Sequence, residues 1–252
     1  MERFIKEIKA VLPEERVYTD ELRTLAWGTD ASFYRLTPKV VIRAKDEDEV
    51  SRIVKVANKY GLPFAFRAAG TSLSGQSVSD SILIVAGKHW EDYSVAADAN
   101  SITLQPGIVG ARVNQILKPL GRVFPPDPAS IGSAMVGGIV ANNASGMNCG
   151  THANSDRMLL SARLVLPDGT VLDTGDDVKR VIIGDERPQV QSRHVLDAVF
   201  LADTVGQRLI PANAVTQGLD SLDEIRMGFL KVFTAYSIAS IKHSTIGQYQ
   251  AG

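Results

Sequence analysis

Apolar residues at the start of the chain fall at Phe4, Ile5, Ile8 and Leu12, with charge between them. That spacing predicts an amphipathic helix over "ERFIKEIKAVL". A second short helix is expected over "TDELRTLAW", with Thr19 or Asp20 as its cap. "GTDASFYRLTP" has no period and reads as a loop. Then the pattern changes. "KVVIRA", "LPFAFRA" and "SILIVA" are short apolar runs, the mark of strands. Between the first two lies "DEDEVSRIVKVANKYG", where Val50, Ile53, Val54 and Ala57 share a face. Asp46 stands three residues before Glu49 in a capping-box pattern, and Gly61 suits the C′ position. Strand, helix, strand, loop, strand is a small α/β unit with a parallel pair.

A second region begins near Tyr93. "SITLQPG" alternates like a strand and closes on a Pro-Gly turn. "VGARVNQILKPLG" is helical, with Val109, Val113, Ile116 and Leu117 on one face. "SARLVLPDGTVLDTG" signals a hairpin with Asp168-Gly169 at its turn. These patterns divide the chain into an N-terminal helical segment (1–37), a first subdomain (38–95) and a second (96–252). The tail from about Asp185 is weakly patterned, and no repeat is found.

Composition narrows the function. Lys and Arg number 27 against 28 Asp and Glu, so the basic footprint of a nucleic-acid binder is missing. No uncharged apolar run reaches the roughly 18 residues of a membrane helix. "MERFIKEIKA" has no signal-peptide h-region. The lone Cys149 excludes an internal disulfide and a Cys-based zinc or iron–sulfur cage within this chain. A reducing cytoplasm is the expected location.

The candidate chemistry lies in "RAAGTSLSGQS". Gly70 and Gly75 have the spacing of a phosphate-cradling P-loop, but Gln76 and Ser77 follow where that loop needs Lys and Ser or Thr. Backbone N–H groups converging at such a turn bind anions without a side chain. The dinucleotide fingerprint G-x-G-x-x-G is absent from this turn. Taken alone, the loop also fits a glycine-rich surface turn. A second feature is the run from Ala129 to Thr151, which has no charged residue. Gly137 and Gly138 let backbone approach a flat ligand, and Asn142, Asn143 and Ser145 offer neutral hydrogen bonds. Such a segment suits a bulky, partly apolar cofactor with a diphosphate; a buried glycine-rich core is the other reading.

The order of "PKVVIRAKDEDEVSRIVKVANKYGLPFAFRAAGTSLSGQ", "LQPGIVGARVNQIL", "FPPDPAS", "VGGIVANNASGMNCGT" and "SARLVLPDGTVLDT" resembles the FAD-linked oxidases of the vanillyl-alcohol oxidase and p-cresol methylhydroxylase type. Within that family the resemblance is strongest to the branch of D-lactate dehydrogenase and glycolate oxidase. "NASGMNCGT" with "NSDRMLLSARLVLPDGTVLDT" is similar to large D-2-hydroxy-acid dehydrogenases that also carry an iron–sulfur domain. The resemblance runs from about Trp27 to Gly175.

It implies an α+β fold in two subdomains around FAD, a small parallel α/β unit and a larger, mostly antiparallel sheet with helices. The glycine loop would wrap the FAD diphosphate: Ala68, Ala69, Gly70, Thr71, Ser72, Leu73, Ser74 and Gly75, with Gln76 at its edge. Arg67 would add charge or be a solvated strand-end residue. Pro106 and Gly107 would lie beside the cofactor. Pro126, Asp127, Pro128 and Ser130 would approach the flavin. Gly132, Ser133, Gly137, Gly138, Asn142, Asn143, Ser145 and Gly146 would follow the ribityl chain, flavin and diphosphate. A diphosphate that is bound rather than cleaved needs no lysine. Relatives that link the flavin covalently use a histidine in this loop; Thr71 stands there, so FAD would be non-covalent. His89 and His152 read as surface or core residues, and Cys149 as a small buried hydrophobe.

The implied activity is oxidation of a 2-hydroxy acid, D-lactate-like, by hydride transfer to FAD. An electron-acceptor protein or quinone would receive the electrons, and full-length relatives can be membrane-peripheral. Family members continue into a "GSEG"-like adenine motif and a substrate domain, which this sequence lacks. The chain is therefore expected to be a C-terminally incomplete FAD-binding portion, with no catalytic residue or metal ligand assigned. It is expected to be weak or silent by itself and to self-associate through an exposed sheet edge. The alternative is a catalytically silent FAD-binding module that needs a partner chain.

Overall fold

The structure, a computed structural model, describes residues 1–147, 154–174 and, as backbone, 239–245. Helix α1 (Glu2–Lys9) buries Phe4 and Ile8, and Leu12 joins them from beyond the helix. The helix stops short of Leu12 because Leu12 precedes Pro13, which disfavours helical backbone there. A single 3-10 turn (Glu14–Arg16) leads into β1 (Val17–Tyr18). Asp20, not Thr19, caps α2 (Glu21–Ala26), accepting from Arg23 N–H at 3.0 Å.

β2 (Val40–Arg43), α3 (Glu47–Lys59), β3 (Phe64–Arg67) and β4 (Ile82–Val85) form the α/β unit. The strand order is β1-β2-β4-β3, with β4 parallel to both β2 and β3. The α3 crossover skips one strand position, and β4 fills it. Asp46 caps α3 at Glu49 N–H (2.9 Å). Only half of the capping box forms, because the Glu49 carboxylate is held by Arg16 (2.5 and 2.7 Å) and by Lys45 N–H (2.9 Å). Every residue of β4 is buried. One face packs on Phe4, Ile8, Ile53 and Val54, the other around Val41, Ala65, Leu83 and Val85 with Tyr18 and Trp27 against them. A sheet covered on both faces needs continuous apolar strands, hence the runs in the sequence.

The second sheet has the order β5-β6-β9-β7-β8 and is antiparallel throughout. Its strands and helices in chain order are β5 (Tyr93–Val95), β6 (Ser101–Leu104), α4 (Gly110–Leu117), α5 (Val136–Ala141), α6 (Ser155–Met158), β7 (Leu159–Val165), β8 (Val171–Asp173) and β9 (Ala239–Thr245). Ile102, Leu104, Val113, Leu117, Ile139 and Leu164 make its core. Val109, expected on the helical face, stands at the N-cap position outside α4, with no side-chain cap bond. The Asp168-Gly169 turn forms, with Gly169 at φ +78° and Asp168 accepting from Thr170 N–H at 2.7 Å.

The fold is thus α+β with two subdomains, a small parallel unit and a larger antiparallel sheet with helices. Helix α3 ties them together. Glu47 takes a bidentate bond from Arg163 (2.9 and 2.6 Å), Ser51 donates to the Gly169 carbonyl (2.5 Å), and Asn58 donates to the Pro167 carbonyl. Among the described residues, no helix is long and apolar enough to cross a membrane. Cys149, His152 and most of the tail lie outside the described residues.

Candidate functional site

A parallel connection usually needs a helix to return the chain. Between β3 and β4 the return is made by residues 68–81 alone, and the glycine loop is its first half. It leaves the C-terminal end of β3, where open parallel sheets place their ligand crevices. A cleft opens there. Arg67, Ala68, Ala69, Gly70, Thr71, Ser72 and Gln76 line one wall; Pro106, Gly137, Gly138 and Asn142 line the other. Phe66, Ser77, Ala86, Met135 and Ala141 complete it.

Local chemistry sets the shape of the loop. Gly70 and Gly75 have φ of +76° and +70°, a region that L side chains rarely adopt. A Cβ on Gly70 would stand 2.5 Å from the Arg67 guanidinium, and one on Gly75 would stand 2.8 Å from the Tyr34 ring. Ser72 Oγ accepts from Ser74 N–H (3.2 Å) and Gln76 N–H (3.4 Å) and donates to Gln76 Oε1 (2.9 Å). Gln76, in place of a P-loop lysine, therefore braces the turn. Among the described residues, the amides of Ala69 to Leu73 donate to no protein acceptor. Free amides on a concave turn can take an anion.

Arg67 is not a solvated strand end. Its Nη1 donates to the Thr29 carbonyl (2.6 Å) and reaches the Trp27 carbonyl at 3.4 Å. Its guanidinium lies 5.1 Å from the centre of the Trp27 ring. Nε is buried with no partner, and among the described residues Arg67 forms no salt bridge. Burial pulls its pKa below the ordinary value, against the opposing charge of Asp30. An incompletely partnered cation under a loop of free amides suits a phosphate.

The facing wall is helix α5. Val136, Ile139 and Val140 bury one side of it in the second core. Gly137 packs on Pro106: its N–H donates to the Pro106 carbonyl (2.9 Å), and a Cβ would lie 2.6 Å from Pro106 Cβ. Gly138 has space, since a Cβ there would meet only Ala68 Cβ, at 3.9 Å. The charge-free run is thus both a buried core and a cleft wall, on opposite sides of one short helix. Asn142 Nδ2 donates to the Gly138 carbonyl (3.1 Å).

The other residues singled out from sequence do not line this cleft. Leu73, Ser74 and Gly75 belong to the loop but not to the lining, and Gly107 is packed against Gly87 and Trp90. Pro126, Asp127, Pro128, Ser130, Gly132, Ser133, Asn143, Ser145 and Gly146 stand outside it. His89 is exposed.

A family model described as an FAD binding domain matches residues 38–175, more than half of the chain. The chain belongs to this family of FAD-binding domains. FAD is its cofactor, and the free amides, the buried Arg67 Nε and the open space at Gly138 are features that such a group can fill. This FAD-binding domain is 30% identical to a D-2-hydroxyglutarate dehydrogenase of Haemophilus influenzae over 165 residues, 64% of this chain and 16% of that protein. It is 30% identical to glycolate oxidase subunit GlcD of Escherichia coli over 166 residues, 65% of this chain and 33% of that one. The match therefore spans a third or less of these relatives. In three dimensions it is similar to alkyldihydroxyacetonephosphate synthase, with a TM-score of 0.61 at 22% identity over 72% of this chain and 37% of that one. At that identity the likeness is one of fold.

Sequence reasoning missed what lies behind the loop. Trp27, Thr29, Asp30 and Tyr34, all from the segment read as an aperiodic loop or its approach, contact the glycine loop or Arg67. The matched FAD-binding domain begins only at residue 38. Asp-Ala-Ser is a recognisable local turn, but nothing in it shows a partner 47 residues away.

Proposed function

We propose that this FAD-binding domain holds FAD in the cleft between the glycine loop and α5, and serves an oxidoreductase that oxidises a 2-hydroxy acid, D-lactate-like. The diphosphate sits on the amides of Ala69 to Leu73 with Arg67 as its counter-charge. Pro106, Gly137, Gly138 and Asn142 flank the cofactor. Pro126, Asp127, Pro128 and Ser130 would approach the flavin, and Gly132, Ser133, Asn143, Ser145 and Gly146 would follow the ribityl chain, flavin and diphosphate. The observation that supports the cofactor placement best is the run of amides that, among the described residues, have no protein acceptor, beside an incompletely partnered arginine. For the substrate class, the support is the pair of relatives, one of them a D-2-hydroxyglutarate dehydrogenase.

FAD, when bound, supplies the acceptor for the hydride on the substrate α-carbon. This chain's residues bind and orient it; none is assigned to take the hydroxyl proton. An acceptor protein or quinone would take the electrons on. The single cysteine in 252 residues supports a reducing cytoplasm. FAD is held non-covalently because Thr71, at the position of the linking histidine, cannot form that bond. Acid precipitation is expected to leave all yellow colour in the supernatant; colour on the washed pellet overturns this point.

The function is tested by anaerobic mixing of the FAD-loaded chain with D- and L-2-hydroxy acids. Bleaching of the flavin band by D acids ahead of L acids supports the proposal. A bound flavin that no acid bleaches favours a silent binding module that works with a partner chain. Failure to bind any FAD sinks the cofactor placement itself.

A further inference from the structure

We infer that residues 27–34, ahead of the matched FAD-binding domain, are a clamp that sets the shape of the diphosphate loop, with Asp30 as its positioning residue. The inference rests on the proposed FAD site. The clamp touches the loop at its start, at both glycines and at its end. At the start, the Trp27 and Thr29 carbonyls receive Arg67. At the first glycine, Ala31 N–H donates to the Gly70 carbonyl at 3.0 Å. At the second, the Tyr34 ring occupies the space beside Gly75. At the end, the Asp30 carboxylate accepts from the Ser77 hydroxyl at 3.0 Å. The segment is braced within itself. Asp30 also accepts from Ser32 N–H (2.8 Å) and Ser32 Oγ (2.5 Å), Leu36 N–H donates to the Gly28 carbonyl (3.0 Å), and Thr29 bridges to Arg35.

None of Trp27 to Tyr34 lines the cleft, so the segment acts through the loop. The physical need is clear. Residues 68–81 contain no helix or strand, and fixing a free backbone costs conformational entropy. A loop already held in place loses less on binding. Asp30 is also an unexpected neighbour for an anion site. Burial raises its pKa, but the Ser32 and Ser77 hydrogen bonds outweigh this and hold it below the ordinary value, so it stays charged. Its field alone would weaken diphosphate binding; its hydrogen bonds hold the loop in the binding shape. These two roles predict opposite signs when the charge is removed.

The experiment is FAD titration of the 252-residue apoprotein by flavin fluorescence, with Asp30→Ala, Asp30→Asn, Tyr34→Ala and Gly138→Leu beside the parent. Hydrogen exchange of peptides covering 28–36 is followed with and without FAD. Asp30→Ala is expected to weaken FAD binding about tenfold, the scale of a hydrogen bond to a charged group. Asp30→Asn should move affinity in the same direction by less, and apoprotein melting should stay near the parent's. FAD should protect 28–36 from exchange in the parent and not in Asp30→Ala. If Asp30→Ala fails to fold, the exposed Tyr34 provides the test, and Tyr34→Ala is expected to weaken binding as well. Unchanged or tighter binding in the folded Asp30 variants, or no FAD-dependent protection of 28–36 in the parent, overturns the clamp. Gly138→Leu fills the cleft without touching the clamp. If it binds FAD like the parent, the cleft is not the FAD site and the underlying reading fails; if it alone loses FAD, only the clamp fails.

Discussion

The glycine loop after β3 and the glycines of helix α5 face each other across one cleft, yet they need glycine for different reasons. Gly70 and Gly75 sit at positive φ, and among the described residues the amides of Ala69 to Leu73 have no protein acceptor. Gly137 has ordinary helical backbone and is glycine because Pro106 stands where a side chain would begin. Gly138, one residue on, has ordinary contact distance ahead of it and faces the cleft. One wall uses glycine to shape backbone for a ligand. The other uses it first to pack two elements closely and only then to keep space open. A glycine count along the sequence treats these alike; their substitutions should not behave alike.

The sharpest contrast is between the two adjacent glycines of α5. Gly137→Ala is expected to lose about 3 kcal/mol of stability in urea denaturation, the upper range for an overpacked core site. A parent-like midpoint would show that Pro106 yields and that the packing account of this wall is wrong.

The anchoring of the walls differs as well. The loop wall belongs to the sheet tied down by Arg16–Glu49, both side chains only 12% exposed. Burial pushes the Glu49 carboxyl up, but the Arg16 guanidinium and the Lys45 N–H hold it below its usual value. The pair's contribution is therefore full above the unfolded glutamate value of about 4.3 and is lost as pH falls through the lower folded value. Glu49→Gln should cost about 2–3 kcal/mol at neutral pH, since it strands a buried charge, and should flatten the acid side of the stability profile. An unchanged acid limb would remove Glu49 from this account.

On the loop itself, Gly75→Val should weaken FAD binding by about tenfold or more while far-UV circular dichroism stays native. Overlapping titrations of variant and parent would make the loop a mere surface turn. The smallest effect is expected at Gly138→Ala. Stability should stay within about 1 kcal/mol of the parent, with FAD affinity lowered a few-fold as the methyl enters the cleft. If Gly138→Ala destabilises as much as Gly137→Ala, the distinction between the two glycines of α5 collapses.

The local elements of the first subdomain were legible because short-range physics dictates them. The apolar runs of β2, β3 and β4, the Asp46 cap and the face of α3 all appear in the sequence and form as read. The shape of the loop was legible too, since Gly70 and Gly75 both take positive φ as a glycine turn implies. Pairings between distant segments were not. β4 inserting between β2 and β3, and β9 from the weakly patterned tail lying between β6 and β7, are decided by long-range hydrogen bonding that no local period displays.

The same limit applies at the cleft. By itself the sequence determined the parallel unit and the glycine loop, because glycine placement and apolar periodicity act within a few residues; the FAD-binding family followed from the resemblance carried by its ordered motifs. Only the tertiary structure decided that Pro106 requires Gly137 to be glycine, that Arg67 reaches the Thr29 carbonyl, and that an aperiodic stretch around Asp30 grips the loop from behind. Each of these depends on atoms brought together from positions tens of residues apart, where side-chain volume and unpaired charge are settled by packing rather than by neighbours in the chain.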